Sequence, residues 1–382
     1  MTLPGLPHPG AQRWRRRRGI RRLAATFNLW ALAVLAVALL VLWLVSAMPL
    51  AQTVEGTVET RAISFQLRPS AQDGSAEDVI GFLAETPQEL RISALRDGAP
   101  VSFPLKDRSV RLEQGRQVAF LSAARETFPV KLLLPPGSRV DNLHGEVTTG
   151  RGGKQQELVM DLRAPASGSP SSAKGESPKP IELRLTPPAA REAAEGSPSR
   201  GQRVETRSGL LSVVEAAGEP EQPLATPEGT FSLLLAGDLR LRMTLAAPTV
   251  VFEPDLPVAA VTFSSVKPSS FGRGELLLSN LRQGTLHFGR HESLKLRENQ
   301  FLTIGPPGLL ELTDLRLANN TLVALVSGQT SRLSTGLSPN RASTELKGTL
   351  LSRSLSPEQI SGVYGFLSGV IGSMVLVFFR AD

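Results

Sequence analysis

Two hydrophobic patterns divide the chain. Long uncharged runs lie near both ends, and between them short stretches alternate apolar and polar residues. The first long run is residues 29–48, LWALAVLAVALLVLWLVSAM. Twenty uncharged residues at 1.5 Å rise each reach about 30 Å, the thickness of a bilayer's hydrocarbon core. The run is longer than the apolar core of a signal peptide, and Pro49 stands where a cleavage site wants a small residue. An uncleaved transmembrane helix over 29–48 is the expectation.

After Thr53 the period drops to two. In AISFQL, Ile63, Phe65 and Leu67 share one face of a predicted strand. A short helix is predicted over 76–85, capped by Ser75 and stopped by Pro87, with Val79, Ile80 and Leu83 as its stripe. Strand patterns resume at ELRISAL, VAFLSA, PVKLLL and ELVMDL, separated by turn residues such as Pro135-Pro136-Gly137. A first β-rich domain over 52–163 is predicted. Residues 164–206 are dense in Pro, Ser, Gly and Ala and read as a linker, since so few large apolar residues cannot offset the entropy of ordering. Within it IELRLT alternates and could add an edge strand to either neighbour.

From 207 to 355 the alternation strengthens into a second β-rich domain. Phe231, Leu233 and Leu235 form one face, and Leu239, Leu241, Met243 and Leu245 repeat it opposite Arg240 and Arg242. Strand patterns follow about every ten residues, as in a sandwich, barrel or solenoid. A faint echo between 55–64 and 347–356 suggests that these two segments pair. The fold class expected is an all-β extracytoplasmic body, sandwich- or barrel-like with two subdomains, flanked by N- and C-terminal transmembrane helices.

The second long run is 360–379, ISGVYGFLSGVIGSMVLVFF, and a second transmembrane helix is predicted over 357–380. Ser356 can cap it, Pro357 suits the first helical position, and Gln359 completes a capping box. Ser361, Gly365, Gly369 and Ser373 recur every four residues and fall on one helix face. Small residues there allow close backbone approach between helices in lipid. Residues 29–48, a second copy of the chain or another membrane or envelope protein could supply the partner.

Charge changes the picture of orientation. Arg13, Arg15, Arg16, Arg17, Arg18, Arg21 and Arg22 precede the first run, and no acid appears before Glu55. Subtracting these seven from 42 basic residues leaves 35 against 35 acids, so the rest of the chain is neutral. The positive-inside rule places the arm, residues 1–28, and both termini in the cytoplasm, with the body outside a bacterial inner membrane. Anionic lipid headgroups are the expected contact of the arm. A neutral body argues against nucleic acid as a partner.

The search for chemistry returns little. There is no cysteine, which excludes thiol catalysis and Cys-based metal sites, and residues 52–355 hold no Trp or Tyr on which a sugar or base would stack. No GxSxG, HExxH or P-loop motif occurs, and no resemblance to a family emerges. His287 and His291 lie in a strand–turn pattern, with His287 outward between inward Leu286 and Phe288, and His144 reads as a turn residue. No cofactor, no metal and no catalytic residue is expected. The chain reads as a non-catalytic membrane-anchored scaffold or adaptor of an envelope or transport assembly. The alternative is an extracytoplasmic protein that binds or transfers a lipid or other apolar ligand between its leucine-rich faces.

Overall fold

The computed structural model describes residues 33–34, 37–41, 44, 48–69, 80–84, 87–95, 98–103, 108–113, 116–122, 127–150, 153–165, 180–186, 209–215, 220–225, 230–247, 249–252, 256–268, 275–305, 309–339 and 341–380. The chain forms two compact units. One is Ala51–Gly348, and the other joins Met1–Leu50 to Thr349–Asp382.

The first unit is an all-β body. Among the described residues its principal sheet has fifteen strands and only antiparallel pairing. One flank runs Pro220–Ala225, Gly209–Glu215, Arg116–Ser122, Pro87–Ala94, Asp238–Leu245, Gly153–Arg163, Arg139–Gly150 and Ala62–Leu67. It continues through Leu256–Thr262, Leu309–Ala318, Thr321–Thr330, Gln52–Thr60, Leu281–Phe288 and Glu292–Leu296, and Thr249–Phe252 pairs beside Leu309–Ala318. The order intermixes strands from before and after 164–206. Asp238–Leu245, for example, lies between Pro87–Ala94 and Gly153–Arg163. The boundaries expected at 52–163 and 207–355 therefore do not separate two bodies. Alternation assigns each strand an inner face but leaves its neighbour open, so a shared sheet leaves no mark in the pattern.

A second, six-stranded sheet runs Ile80–Ala84, Val130–Leu134, Ile181–Leu185, Phe231–Leu235, Ala99–Phe103, Arg108–Leu112. Two expectations change here. Ile80–Ala84 is a strand, not helix, and it pairs with Val130–Leu134. Residues 76–79 and 85 of the expected helix lie outside the described residues. Ile80 and Phe82 suit a pleated surface, and the available neighbour supplies the ladder that overrides weak local helix signals. Ile181–Leu185, expected as an edge strand of a linker, is central. It pairs with Val130–Leu134 on one side and Phe231–Leu235 on the other, with Ile181, Leu183 and Leu185 fully buried.

The two sheets share one apolar core. Phe120 of the large sheet packs edge-on against Phe128 at 4.9 Å between ring centroids and lies 5.5 Å from Phe231 of the small sheet. Farther along, the large sheet curls. A Cβ at Gly145 would lie 2.5 Å from Leu317 Cδ1, although two strands separate their own strands in the sheet order. The predicted inner faces hold: Ile63, Phe65, Leu67, Leu239, Leu241, Met243 and Leu245 are all buried.

The outer faces of the same strands explain the Leu-Arg-Leu-Arg pattern. Arg240 makes two hydrogen bonds to Asp161, at 2.7 and 3.0 Å. The Asp161 hydrogen bond holds the Arg240 guanidinium above its ordinary pKa. Arg242 reaches both Glu146 at 2.9 Å and Glu157 at 3.3 Å, so one cation relieves two carboxylates that face each other across neighbouring strands. Close approach shapes the interior of the sheet at several glycines, Gly56 and Gly328 among them. A Cβ at Gly56 would fall 2.0 Å from Thr285 O, and one at Gly328 would fall 2.1 Å from Leu309 O.

Candidate anchoring site

The body's first and last strands set where the chain enters and leaves it. Gln52 opens the strand Gln52–Thr60 and stands opposite Thr330, the last residue of Thr321–Thr330. The chain then bends: Thr330 Oγ1, fully buried, donates to Gly305 O at 2.6 Å. After Arg332–Gly336 and Thr344–Lys347, which pair with each other, Gly348 N donates back to Ser331 O at 2.8 Å. Ala51 and Gly348, the two ends of the body, therefore lie at the same end of the sheet. The turn after Leu281–Phe288 sits there too, since Gly289 N donates to Thr53 O at 2.8 Å.

In the other unit, Pro49 and Thr349 form an isolated antiparallel bridge. The pairing expected between 55–64 and 347–356 is absent. Residues 55–64 belong to the large sheet, whereas Thr344–Lys347 belongs to a three-stranded sheet and Leu350–Ser354 is helical. That one-turn helix, α1, escaped the sequence reading. Its signal is Thr349 and Ser352: Thr349 Oγ1 accepts from Ser352 N at 3.1 Å, and Ser352 Oγ accepts from Thr349 N at 2.8 Å. A serine at the third helical position is a weak form of the capping box.

Helix α2 spans Pro357–Arg380. Its predicted capping box is present: Gln359 N donates to Ser356 Oγ at 3.3 Å, and Ser356 N donates to Gln359 Oε1 at 3.0 Å. Ser361, Gly365, Gly369 and Ser373 are all exposed. Nothing lies within 4 Å of a Cβ placed at Gly365 or Gly369. Ser373 Oγ donates to Val370 O at 2.8 Å, within its own helix. Among the described residues no helix is long and apolar enough to cross a membrane. The seven arginines of the arm lie outside the described residues. Of the first apolar run, the described positions between 33 and 44 are helical.

His287 faces outward between the buried Leu286 and Phe288, and His291 is exposed in the following turn. His144 lies in the strand Arg139–Gly150, beyond a bulge at which Asn142 takes φ 51°, and its Nδ1 meets Asn142 O at 2.7 Å. Among the described residues no three His, Asp or Glu side chains converge on a point where a metal could sit.

Among the described residues, Glu292 is the carboxylate held above its ordinary pKa. Burial raises it, and neighbouring His291 partly opposes the rise. A folded-state pKa above the unfolded value adds stability that is fully present below the unfolded pKa and is lost as pH rises through the folded one. Glu292→Gln should therefore raise the melting temperature at neutral pH, with the gain vanishing in acid. Thermal scans of both proteins across pH 3–8 check the sign, and an equal gain at every pH would refute it.

Comparison with protein-family models and with curated proteins finds no match.

Proposed function

We propose that this chain is a non-catalytic, membrane-anchored scaffold or adaptor of a bacterial envelope or transport assembly. Two helices, over 29–48 and 357–380, span the inner membrane. Both termini are cytoplasmic and the β-rich body is extracytoplasmic. The observation that carries the reading is the side-by-side exit of the chain at Ala51 and Gly348, with Pro49 bridged to Thr349. A body whose two tethers leave one end at adjacent points suits two antiparallel crossings of one bilayer. The uncharged length of both runs and the arginine arm before the first add support.

The small-residue face of α2 supplies the means of association, and the Arg arm touches anionic headgroups on the opposite side of the membrane. Against the lipid-carrier alternative stands the packing of the leucines. A side chain lining a ligand-sized void keeps surface that water could touch, yet Leu183, Leu233, Leu241, Leu312 and Leu317 keep none.

Reporter fusions after Asp382 test the topology. Activity of a cytoplasm-only reporter is the expected result, and activity of an export-only reporter would overturn the two-span model. Gly365→Leu with Gly369→Leu tests association. Complexes that survive gentle detergent with the parent chain should dissociate in the variant, and unaltered complexes would remove the helix face from the proposal.

A further inference from the structure

We infer that α1 is an interfacial strap. It lies flat in the headgroup layer of the extracytoplasmic leaflet, with Leu350 against the upper acyl chains and Arg353 on a lipid phosphate. The inference rests on the two-span reading and deepens it.

Connectivity is the first argument, and it stays within the unit that joins Met1–Leu50 to Thr349–Asp382. Met48 closes the first uncharged run, and the next residue, Pro49, is bridged to Thr349, the cap of α1. At the other end only Leu355 and Ser356 separate Ser354 from Pro357, where α2 starts. One end of α1 is therefore tied to the end of the first span and the other to the start of the second. From Met48 to Leu350 the path is two chain steps of about 3.8 Å and one bridge of about 5 Å, at most about 13 Å in all. The interfacial layer takes up at least about 5 Å of that, and a helix with its side chains has a radius of about 5 Å. Even at full stretch, the near side of α1 stands within about 3 Å of the headgroups. Five residues at 1.5 Å rise make a helix about 7 Å long, close to the roughly 8–10 Å between the axes of two packed helices. A helix of that length can run from one span to the other in the plane of the membrane.

The second argument is what α1 presents. Leu350, Arg353 and Ser354 are all exposed, and their spacing of three and four puts them on one face. Leu350 is 42% exposed, and Met48, at the end of the first run, is 55% exposed. Across 48–50 and 349–359 the charged residues are Arg353 and Glu358, so the segment is neutral and needs no anionic lipid. Glu358 lies in the first turn of α2, where the helix dipole favours an acid. A leucine one turn from an arginine fits the depth at which phosphates meet the upper acyl chains.

The test uses the full chain in phosphatidylcholine vesicles. Absence of cysteine lets one introduced thiol carry an environment-sensitive fluorophore. Ser354→Cys, on the exposed face of α1, and Phe366→Cys, in α2, are labelled in separate proteins. Lipids spin-labelled at the headgroup or at the top of the acyl chain should quench the label at 354. Lipids spin-labelled near the end of the acyl chain should quench the label at 366. Leu350→Ser combined with Arg353→Gln should remove most of the quenching at 354 and leave that at 366 unchanged.

Quenching at 366 without quenching at 354 overturns the seated strap and leaves the two spans intact. No quenching at 366 overturns the spans, and the strap with them. Quenching at 354 that persists in the doubly substituted chain overturns the assignment of Leu350 and Arg353 to the lipid.

Discussion

Leu183→Ala will lower the stability of the body by about 2–5 kcal/mol, the cost of a buried leucine replaced without collapse of its site. Leu183 is fully buried in the middle of Ile181–Leu185, opposite Leu132 on one neighbouring strand and Leu233 on the other. Removing its side chain leaves a void between two strands that both depend on it. The strand has only five residues, so its central leucine supplies a large share of its buried surface. Denaturant unfolding of the parent and variant, followed by circular dichroism, measures the difference. A loss under about 1 kcal/mol, typical of a surface substitution, would mean the strand is dispensable.

Gly328→Val is the second large effect, expected at roughly 3–5 kcal/mol from overpacking and backbone strain together. Gly328 holds φ +144°, and its missing Cβ would collide with Leu309 O at 2.1 Å and Leu310 Cα at 2.8 Å. Those are backbone atoms of the paired strand, so no rotamer change relieves the clash. The strand must shift, and it carries Thr330 and the bend at the chain's exit. Gly328→Ala should show a smaller loss of the same sign. A valine variant that melts with the parent would show that the strands can separate locally at no cost.

The sequence was a good guide to faces and a poor one to neighbours. Alternation around Phe231, Leu239 and Ile63 found the inner positions because burial repeats every second residue in a strand. Outward His287 followed from the same rule. The Ser356–Gln359 cap was legible because its geometry is local. What escaped depends on contacts far along the chain. Ile80–Ala84 needed Val130–Leu134 to become a strand, and Ile181–Leu185 needed two partners to become a centre. Thr349 and Ser352 make a helix start without the acid that usually marks one. The junction at Ala51 and Gly348, on which the functional reading rests, was invisible for the same reason. Gln52 meets Thr330 only in the folded sheet.

That pairing sets the timetable of folding. Gln52–Thr60 is the first strand of the body to be synthesised, yet its two neighbours, Leu281–Phe288 and Thr321–Thr330, are among the last. Until they arrive, its backbone donors and acceptors have no native ladder. Contacts this distant make a sheet slow to close and leave an early strand edge open to wrong partners. The body should therefore complete its large sheet only after nearly the whole chain has emerged, and truncation before Thr321 should leave the first strand unpaired on one side. A sheet whose first strand waits for two of its late ones must finish folding at the place where it began.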